Sequence, residues 1–322
     1  MTRVFHSNPR RRALPWSDDE LATIAARAAD DFDALPAYHL GQSAKLRRTA
    51  VDGLLAQRLV PSLNSITFER KGHVAGTDAW RLAISEVLWS ALHDEGLETC
   101  HLARSGDVVL VSEERATPVE VIVKAAWVGT PTRIYEGLSG RVDRFGAPFV
   151  EHARHAPYVR FDYRNPLTSP SGKTLRDECL PEALADRLID TAEASKNALR
   201  IFDVVRRRFE RAGFEVWDAC FLFDESGRVF CYELSPDNMR VKSAGWADDP
   251  SAANEFDKDL WRRGEDDAVI TRQWRTLHER LWLSSRSWST APTARARRRV
   301  SHTSSSASDV VARRSRPTPP TA

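Results

Sequence analysis

The chain has few cysteines, no clustered histidines and no long apolar segment, and each shortage argues against a class of protein. Its four cysteines, at positions 100, 179, 220 and 231, form no CxxC pair and no metal-ligand spacing. Such scattered cysteines suit a reducing cytoplasm, where they serve as small apolar residues. The nine histidines form neither HxxxH nor HExxH, so a zinc hydrolase has little support.

Membrane and secretory signals are also missing. No apolar run approaches the roughly 18–20 residues that cross a bilayer. The first twelve residues are basic but are followed by no apolar segment, which argues against a secretory signal. We therefore expect a cytoplasmic protein with no membrane partner.

Charge is distributed unevenly along the 322 residues. Residues 284–322 hold eight arginines and one acid, so they carry +7 and leave the remainder at about −5. This segment is rich in Ser, Thr and Pro without an apolar period, which predicts disorder. A basic tail could contact nucleic acid, but we favour a solvated extension with no specific nucleic-acid partner.

The stretch from residue 214 to residue 240 is the most informative. Residues 214–223 are largely β-branched and aromatic, a Gly-containing turn follows, and residues 228–234 are apolar again. Two such runs around a short turn predict a β-hairpin in the core.

Carboxylates inside this apolar hairpin need an explanation, because a buried carboxylate requires a cation, hydrogen bonds or a metal. Asp218 and Glu233 are the two, and Asp237 and Arg240 follow directly. One interpretation makes Asp218 and Glu233 cross-strand partners of Arg or Lys. The other makes Asp218, Glu233 and Asp237 the acidic wall of a phosphate and metal site in which Arg240 binds an anion. The pattern leaves the two about even.

The other elements follow from periodicity and capping signals. A capping box at Ser17–Glu20 predicts a helix to about residue 32, after a disordered arm. The remaining helices are predicted at about 79–93, 181–212 and 268–283, and strands at 53–60, 63–68, 107–111, 119–126 and 158–164.

Two further segments carry polar groups in suggestive places. Gly41–Gln42–Ser43, followed by Lys45, is a small glycine-led turn that can lie over nucleotide phosphates, although such turns are common. Glu120 and Lys124 lie within the β-branched strand 119–126, so they either flank an edge strand or face a polar cleft.

With these residues identified, the chain resembles the SAICAR synthetase (phosphoribosylaminoimidazole-succinocarboxamide synthase) family. The similarity spans roughly residues 40–262 and rests on four segments in the same order and spacing, a combination more specific than any one of them. The segments are 118–130 (PVEVIVKAAWVGT), 217–223 (WDACFLF), 233–240 (ELSPDNMR) and 256–262 (FDKDLWR).

The resemblance implies an α+β fold of two lobes, with a small antiparallel β lobe, a larger α/β lobe and ATP in the cleft. The corresponding division is an arm and extra helix at 1–35, a small lobe at 36–126, a larger lobe at 127–283 and the tail at 284–322. It also implies an ATP-dependent ligase in which an azole carboxylate ribonucleotide is activated as an acyl phosphate and joined to L-aspartate.

Roles are carried over from the family residue by residue. Gly41, Ser43, Lys45 and Glu120 are expected at ATP, and Glu233 and Asp237 at Mg²⁺ and in catalysis. Lys124 is expected both in catalysis and at the substrate. The other expected substrate contacts are Gly129, Thr130, Asp218, Arg240, Lys258 and Arg262.

Departures from the family pattern leave several functions open. Gln42, Cys220, Leu222 and Tyr232 replace charged residues of the family. The favoured hypothesis is a divergent ligase, as in a specialised nucleoside-type or antibiotic pathway. The alternatives are the housekeeping enzyme of purine biosynthesis and a catalytically silent nucleotide-binding homologue. A homo-oligomer also stays open.

Overall fold

The computed structural model describes residues 2–65, 70–128, 137–138, 140–164, 167–168, 171–172, 174–175 and 178–286. They form an α+β fold with two main antiparallel sheets. No helix in this part of the chain is long and apolar enough to cross a membrane.

The first sheet has six strands in the order β1-β7-β8-β4-β3-β2, and β5 and β6 form a separate two-stranded sheet. The strands are β1 (Thr2–Val4), β2 (Ala37–Leu40), β3 (Ala44–Arg48), β4 (Leu54–Leu59), β5 (Ser62–Ser65), β6 (Arg70–His73), β7 (His101–Ser105) and β8 (Val108–Ser112).

The second sheet has five strands in the order β13-β10-β9-β14-β15, and β11 and β12 pair separately. These strands are β9 (Val119–Ala126), β10 (Arg154–Tyr163), β11 (Leu167–Thr168), β12 (Thr174–Leu175), β13 (Glu178–Cys179), β14 (Phe214–Phe221) and β15 (Met239–Ser243).

Helices pack on the sheets and contribute part of the apolar core. They are α1 (Pro9–Arg12), α2 (Asp18–Asp30), α3 (Thr77–Asp94), α4 (Glu182–Ala185), α5 (Thr191–Arg211), α6 (Asp259–Arg262) and α7 (Asp267–Arg286). Helix α2 packs on β7 and β8, while α5 packs on β9 and β14. The predicted capping box of α2 is confirmed, because the Ser17 hydroxyl accepts from the Glu20 amide and the Glu20 carboxylate accepts from the Ser17 amide.

Strand β9 lies at the centre of the second sheet, between β10 and β14. Its odd-numbered residues Val119, Val121 and Val123 are buried against the core that includes Phe202 and Val205 of α5. Because side chains alternate along a strand, its even-numbered residues point to the opposite face. The predicted division ended the small lobe at residue 126 and so included β9 in it. In the structure β9 pairs with strands of the second sheet.

The expectation of a disordered N-terminal arm was wrong. Residues 2–4 form β1, which pairs antiparallel with β7. The Asn8 side chain is fully buried and donates hydrogen bonds to the carbonyls of Thr99 and His101, each at 2.8 Å. The arm is ordered because it pairs with residues about one hundred positions later in the chain. The prediction failed because local composition gives no sign of such distant partners.

The predicted hairpin is only half correct. The first arm is β14 and the turn at 224–227 is present, with Asp224 and Gly227 joined by a backbone hydrogen bond of 3.0 Å. The second arm makes only isolated bridges, and β14 pairs instead with β15 and β9. Residues 228–234 are not a strand of this sheet, and Glu233 among them pairs with a buried arginine, described below.

Two predicted helices also needed correction. The helix expected at 181–212 is two, because Asp190 caps α5 by accepting from the Glu193 amide. As predicted, the longer helix ends before Gly213, which has a φ of +82°. The last helix runs to Arg286, so residues 284–286 are helical rather than part of the tail. The rest of the predicted tail lies outside the described residues.

Candidate active site

A cavity of about 1380 Å³ is lined by residues of both sheets. Among the described residues, its wall holds eight Lys or Arg side chains and five Asp or Glu side chains, an excess of positive charge that suits an anionic ligand. The cationic residues are Lys71, Arg115, Lys124, Arg160, Arg164, Arg240, Lys258 and Arg262, and the acidic ones are Glu114, Glu120, Asp218, Asp237 and Asp257.

Strand β9 brings two predicted site residues to this wall. Glu120, Ile122 and Lys124 line the cavity, which follows from the alternation that buries their odd-numbered neighbours. In the antiparallel register Lys124 lies opposite Asp218 of β14. Of the two interpretations of the charged strand, the polar cleft is therefore the correct one, because β9 is central rather than at an edge.

Asp218 is the centre of a buried charge cluster. Its Oδ2 lies 2.5 Å from Lys124 Nζ and 2.5 Å from Arg240 Nη1. Burial alone would raise the pKa of this carboxyl, but Arg240 and Lys124 outweigh burial and lower it. Asp218 is thus the cross-strand partner of two cations, as the first interpretation held, and it faces the cavity together with them.

The Lys124 ammonium is held by the same cluster. Its Nζ also donates to the Val128 carbonyl at 3.1 Å, and its side chain is 4% exposed. Burial lowers the pKa of Lys124, and Asp218 opposes that effect. The acid therefore offsets part of the cost of burying this lysine at the cavity wall.

Arg240 links this cluster to helix α6. Its Nε lies 2.9 Å from Asp259 Oδ2, and Arg262 Nη1 lies 2.5 Å from Asp259 Oδ1. Burial would raise the pKa of Asp259, but Arg240 and Arg262 lower it well below its usual range. Two arginines and a lysine are thereby fixed on one side of the cavity before any ligand arrives.

Glu233 is in a different place from the one predicted. It pairs with Arg81 of α3, with Arg81 Nη2 2.5 Å from Glu233 Oε1 and Arg81 Nε 2.8 Å from Glu233 Oε2. Both side chains are buried, at 0% and 3% exposure, and neither lines the cavity. Glu233 is therefore paired with an arginine, but one from a helix rather than the cross-strand partner expected. A carboxylate held on both oxygens by arginine has little capacity left for a metal.

Asp237 does line the cavity, beside Lys258. The two charged groups are 2.9 Å apart. Burial would raise the pKa of Asp237, but Lys258 and Arg81 lower it, so the carboxylate is ionised. Among the described residues no group of three or more His, Cys, Asp or Glu side chains is arranged to hold a metal ion.

The glycine turn forms another part of the wall. Gly41, Gln42 and Ser43 all line the cavity. A Cβ on Gly41 would lie 2.9 Å from the Ala44 carbonyl oxygen, so the turn itself requires glycine. Arg81 also reaches this turn, since its Nη2 lies 3.3 Å from the Ser43 carbonyl.

Lys45 was expected at the nucleotide, but it does not line the cavity. Ala44 and Leu46 line the cavity, whereas Lys45 between them is exposed and lies off its wall. The alternation along β3 turns the lysine to the opposite face. Lys71 of β6, which the sequence did not single out, is a cation that does line the cavity.

Gly129 and Thr130, both expected at the substrate, lie outside the described residues. The other predicted substrate contacts, namely Lys124, Asp218, Arg240, Lys258 and Arg262, all line the cavity.

Sequence reasoning missed Arg81, although a signal for it exists. Thr77, Arg81 and Ser85 repeat every four residues in line with Leu88 and Leu92, so a polar stripe continues the buried face of α3. Ser85 uses this position to accept from the Leu234 amide at 3.0 Å. A cation on the buried face of a helix indicates a buried acid elsewhere in the chain.

Comparison with known proteins identifies the family. The family model for SAICAR synthetase matches residues 64–277. The bifunctional cordycepin biosynthesis cluster protein 3 of Cordyceps militaris is 27% identical over an alignment of 247 residues, which covers 66% of this chain but only 28% of that protein. Phosphoribosylaminoimidazole-succinocarboxamide synthase of Thermotoga petrophila is 30% identical over 187 residues, covering 55% of this chain and 70% of that one.

Solved structures of low sequence identity share the fold. The phosphoribosylaminoimidazole-succinocarboxamide synthase of Ehrlichia chaffeensis superposes with a TM-score of 0.61 at 18% identity, covering 76% of this chain and 98% of that one. A SAICAR synthetase in complex with ADP gives 0.59 at 18% identity, covering 76% and 96%. Since the family model matches about two thirds of its length, the chain belongs to the SAICAR synthetase family of ligases.

Proposed function

We propose that this protein is an ATP-dependent ligase that joins an aminoimidazole-like azole carboxylate ribonucleotide to L-aspartate, releasing ADP and phosphate. The observation that carries the proposal is the cavity itself, which has a glycine turn on one wall and fixed cations on another. Among the relatives, one structure is described as an ADP complex and another, from Saccharomyces cerevisiae, as a SAICAR complex.

The glycine turn is the proposed site of the ATP phosphates. Backbone amides of a small turn can approach phosphate oxygens closely because no side chain intervenes. Lys71 lies on the same cavity and supplies positive charge for the triphosphate. Glu120, on the central strand, is the proposed contact for another part of the nucleotide.

The cation cluster is the proposed site of the ribonucleotide. Arg240 and Lys124 are held by Asp218, while Arg262 is held by Asp259. Ion pairs of this kind fix each cation in place, so a phosphate or carboxylate meets a preorganised set of donors.

The proposed reaction needs positioning and charge neutralisation more than covalent participation by the protein. The azole carboxylate takes the γ-phosphoryl group of ATP and becomes an acyl phosphate. The α-amino group of aspartate then attacks the acyl carbon, phosphate leaves and the amide forms. Lys124 and Lys258 are the proposed residues that stabilise the charge developing on the transferred group.

Mg²⁺ is part of this proposal, with one protein carboxylate as ligand instead of the two that the sequence suggested. Mg²⁺ usually binds one or two carboxylates together with substrate phosphates and water, and it neutralises phosphate charge. Asp237 is an ionised carboxylate on the cavity and fits that role, whereas Glu233 does not because Arg81 occupies it. Asp237 is therefore the proposed protein ligand.

A specialised nucleoside-type pathway is the proposed setting. The support is the relative from a cordycepin biosynthesis cluster, together with the apolar residues Cys220 and Leu222 on the cavity wall. The relatives that are phosphoribosylaminoimidazole-succinocarboxamide synthases favour the housekeeping reaction as the second candidate.

The decisive experiment incubates the protein with ATP, Mg²⁺, a set of azole carboxylate ribonucleotides and each amino acid. Product masses are then read by mass spectrometry and ADP by a coupled assay. We expect ADP release that requires both an azole carboxylate and an amino acid. The product mass should equal that of the azole carboxylate plus the amino acid minus one water. ATP binding without turnover across the whole set would instead support a silent nucleotide-binding protein.

Replacing Gly41 by alanine is expected to raise KM for ATP by about tenfold or more while changing KM for the azole much less. The added Cβ collides with the Ala44 carbonyl, so the turn must shift where phosphates would bind. Gly137→Ala is the matched control, because a Cβ there meets no atom within 4 Å. Steady-state kinetics with each substrate varied in turn decide the matter, and equal changes in both KM values would contradict the assignment of the turn to ATP.

A further inference from the structure

Two cysteines that the proposed reaction does not use are neighbours in register. Thr99 and Phe230 form an isolated parallel bridge, with the Phe230 amide donating to Glu98 O and the Cys100 amide donating to Phe230 O, both at 3.0 Å. In a parallel pair the next residues, Cys100 and Cys231, lie opposite each other with side chains on the same face. Adjacent strands are about 4.8 Å apart, within the 4.4–6.8 Å between Cα atoms that a disulfide spans.

The two residues lie on the wall of the same cavity. Both line it, and Cys231 packs against the buried apolar cluster that contains Cys100. Cys100 Sγ also lies 3.9 Å from His101 Nε2. The Cys231 side chain lowers the pKa of the Cys100 thiol, and Cys100, together with burial, raises the pKa of Cys231. These opposite directions favour the thiolate at Cys100 over one at Cys231.

We propose that Cys100 and Cys231 form a reversible disulfide on oxidation, and that this disulfide lowers the activity of the site in the cavity. A peroxide is the oxidant, since a small molecule can reach Cys100 through the cavity although its residue is only 5% exposed. Disulfides in reducing compartments are mostly of this transient, redox-sensing kind.

The chemistry balances in two steps. The Cys100 thiolate attacks one peroxide oxygen, the O–O bond breaks and hydroxide leaves, which gives a sulfenic acid at Cys100. The Cys231 sulfur then attacks Cys100 Sγ, the S–O bond breaks, and the thiol proton leaves with the hydroxide as water. Two thiols are oxidised by two electrons, and hydrogen peroxide is reduced to two waters.

Closing the bond should disturb the site, and this part rests on the proposed function. The sulfurs must approach to about 2.05 Å, which pulls residue 231 and its neighbour Tyr232, also on the cavity wall, toward Cys100. Because a misplacement of about 1 Å can cost up to about a hundredfold in rate, we expect turnover to fall at least about tenfold in the oxidised protein and to recover on reduction.

The chemical test treats the full chain with hydrogen peroxide, alkylates remaining thiols under denaturing conditions and maps the peptides by mass spectrometry. We expect a linked pair of peptides containing Cys100 and Cys231, which dithiothreitol releases. The Cys179→Ser control removes an exposed cysteine away from the cavity and should leave that link intact. In Cys231→Ser the link should be lost and Cys100 should proceed to the sulfinic acid. Oxidation confined to other cysteines, with Cys100 and Cys231 both still alkylated, would overturn the proposal.

The functional test compares turnover of the reduced, oxidised and re-reduced protein. If the disulfide forms and turnover does not change, the claim that it lowers activity is wrong. A reduced protein without ligase activity would refute the proposed function alone, because the peptide map still decides whether the disulfide forms.

Discussion

Replacing Glu233 by glutamine is expected to lower the free energy of unfolding by about 3–5 kcal/mol, the range measured when one partner of a buried ion pair is removed. Arg81 would then keep its charge in a site that is 0% exposed, with no carboxylate in contact. The arginine would retain only carbonyl partners, those of Ser43, Val60 and Ser62. Urea unfolding followed by tryptophan fluorescence gives the value.

Two comparisons make this result specific to the buried pair. Glu215→Gln removes a partly exposed carboxylate that pairs with Arg154 at 3.0 Å, and its cost should stay below about 1 kcal/mol. The double variant Arg81→Met with Glu233→Met should be more stable than Glu233→Gln, since it leaves no unpaired charge. A Glu233→Gln protein of normal stability that lacks turnover would restore the metal role that the sequence suggested.

Asp218→Asn is expected to destabilise the fold by about 3 kcal/mol or more near neutral pH, because two cations lose their common carboxylate. The difference from the wild type should depend on pH in one direction. The folded-state pKa of Asp218 lies below its unfolded value, so the carboxylate stabilises the fold fully above the unfolded pKa of about 3.9. That contribution disappears as the pH falls through the folded-state pKa.

Urea unfolding of both proteins between about pH 3 and 7 tests this expectation. The gap between wild type and variant should be constant above about pH 5 and should narrow as the pH falls below 4. Asp203→Asn is the control, because that carboxylate is 45% exposed in its pairs with Arg206 and Arg207 and should cost little at any pH. A gap that widens toward low pH would contradict the pairing of Asp218.

Elements with a strong local period were predictable. Helix α2 shows its capping box in four residues, and β9, rich in valine and isoleucine, has the bounds that the sequence predicted. The N-terminal strand was missed because three residues carry no period of their own and form a strand only on β7. The second arm of the hairpin was predicted wrongly for a related reason, since Glu233 pairs with an arginine 152 residues earlier in the chain, which local sequence does not reveal.

The site was predictable as a set of residues but not as a set of contacts. Spacing singled out Asp218, Lys124 and Arg240, and the structure brings all three together on the cavity. It could not assign each acid to its cation, because register between strands about one hundred residues apart is set by the whole sheet. Lys45 shows the same limit on a smaller scale, where one position along a strand separates the two faces.

The position of β1 has a consequence for any shortened version of this chain. It covers one side of β7, which would otherwise be an outer strand with unpaired amides and carbonyls. Removing the residues before Asn8 would expose the unpaired amides and carbonyls of β7. An exposed edge strand of this kind can pair with strands of other molecules. Such a truncated protein would self-associate through its main chain, and light scattering would detect this as growth in particle size with concentration.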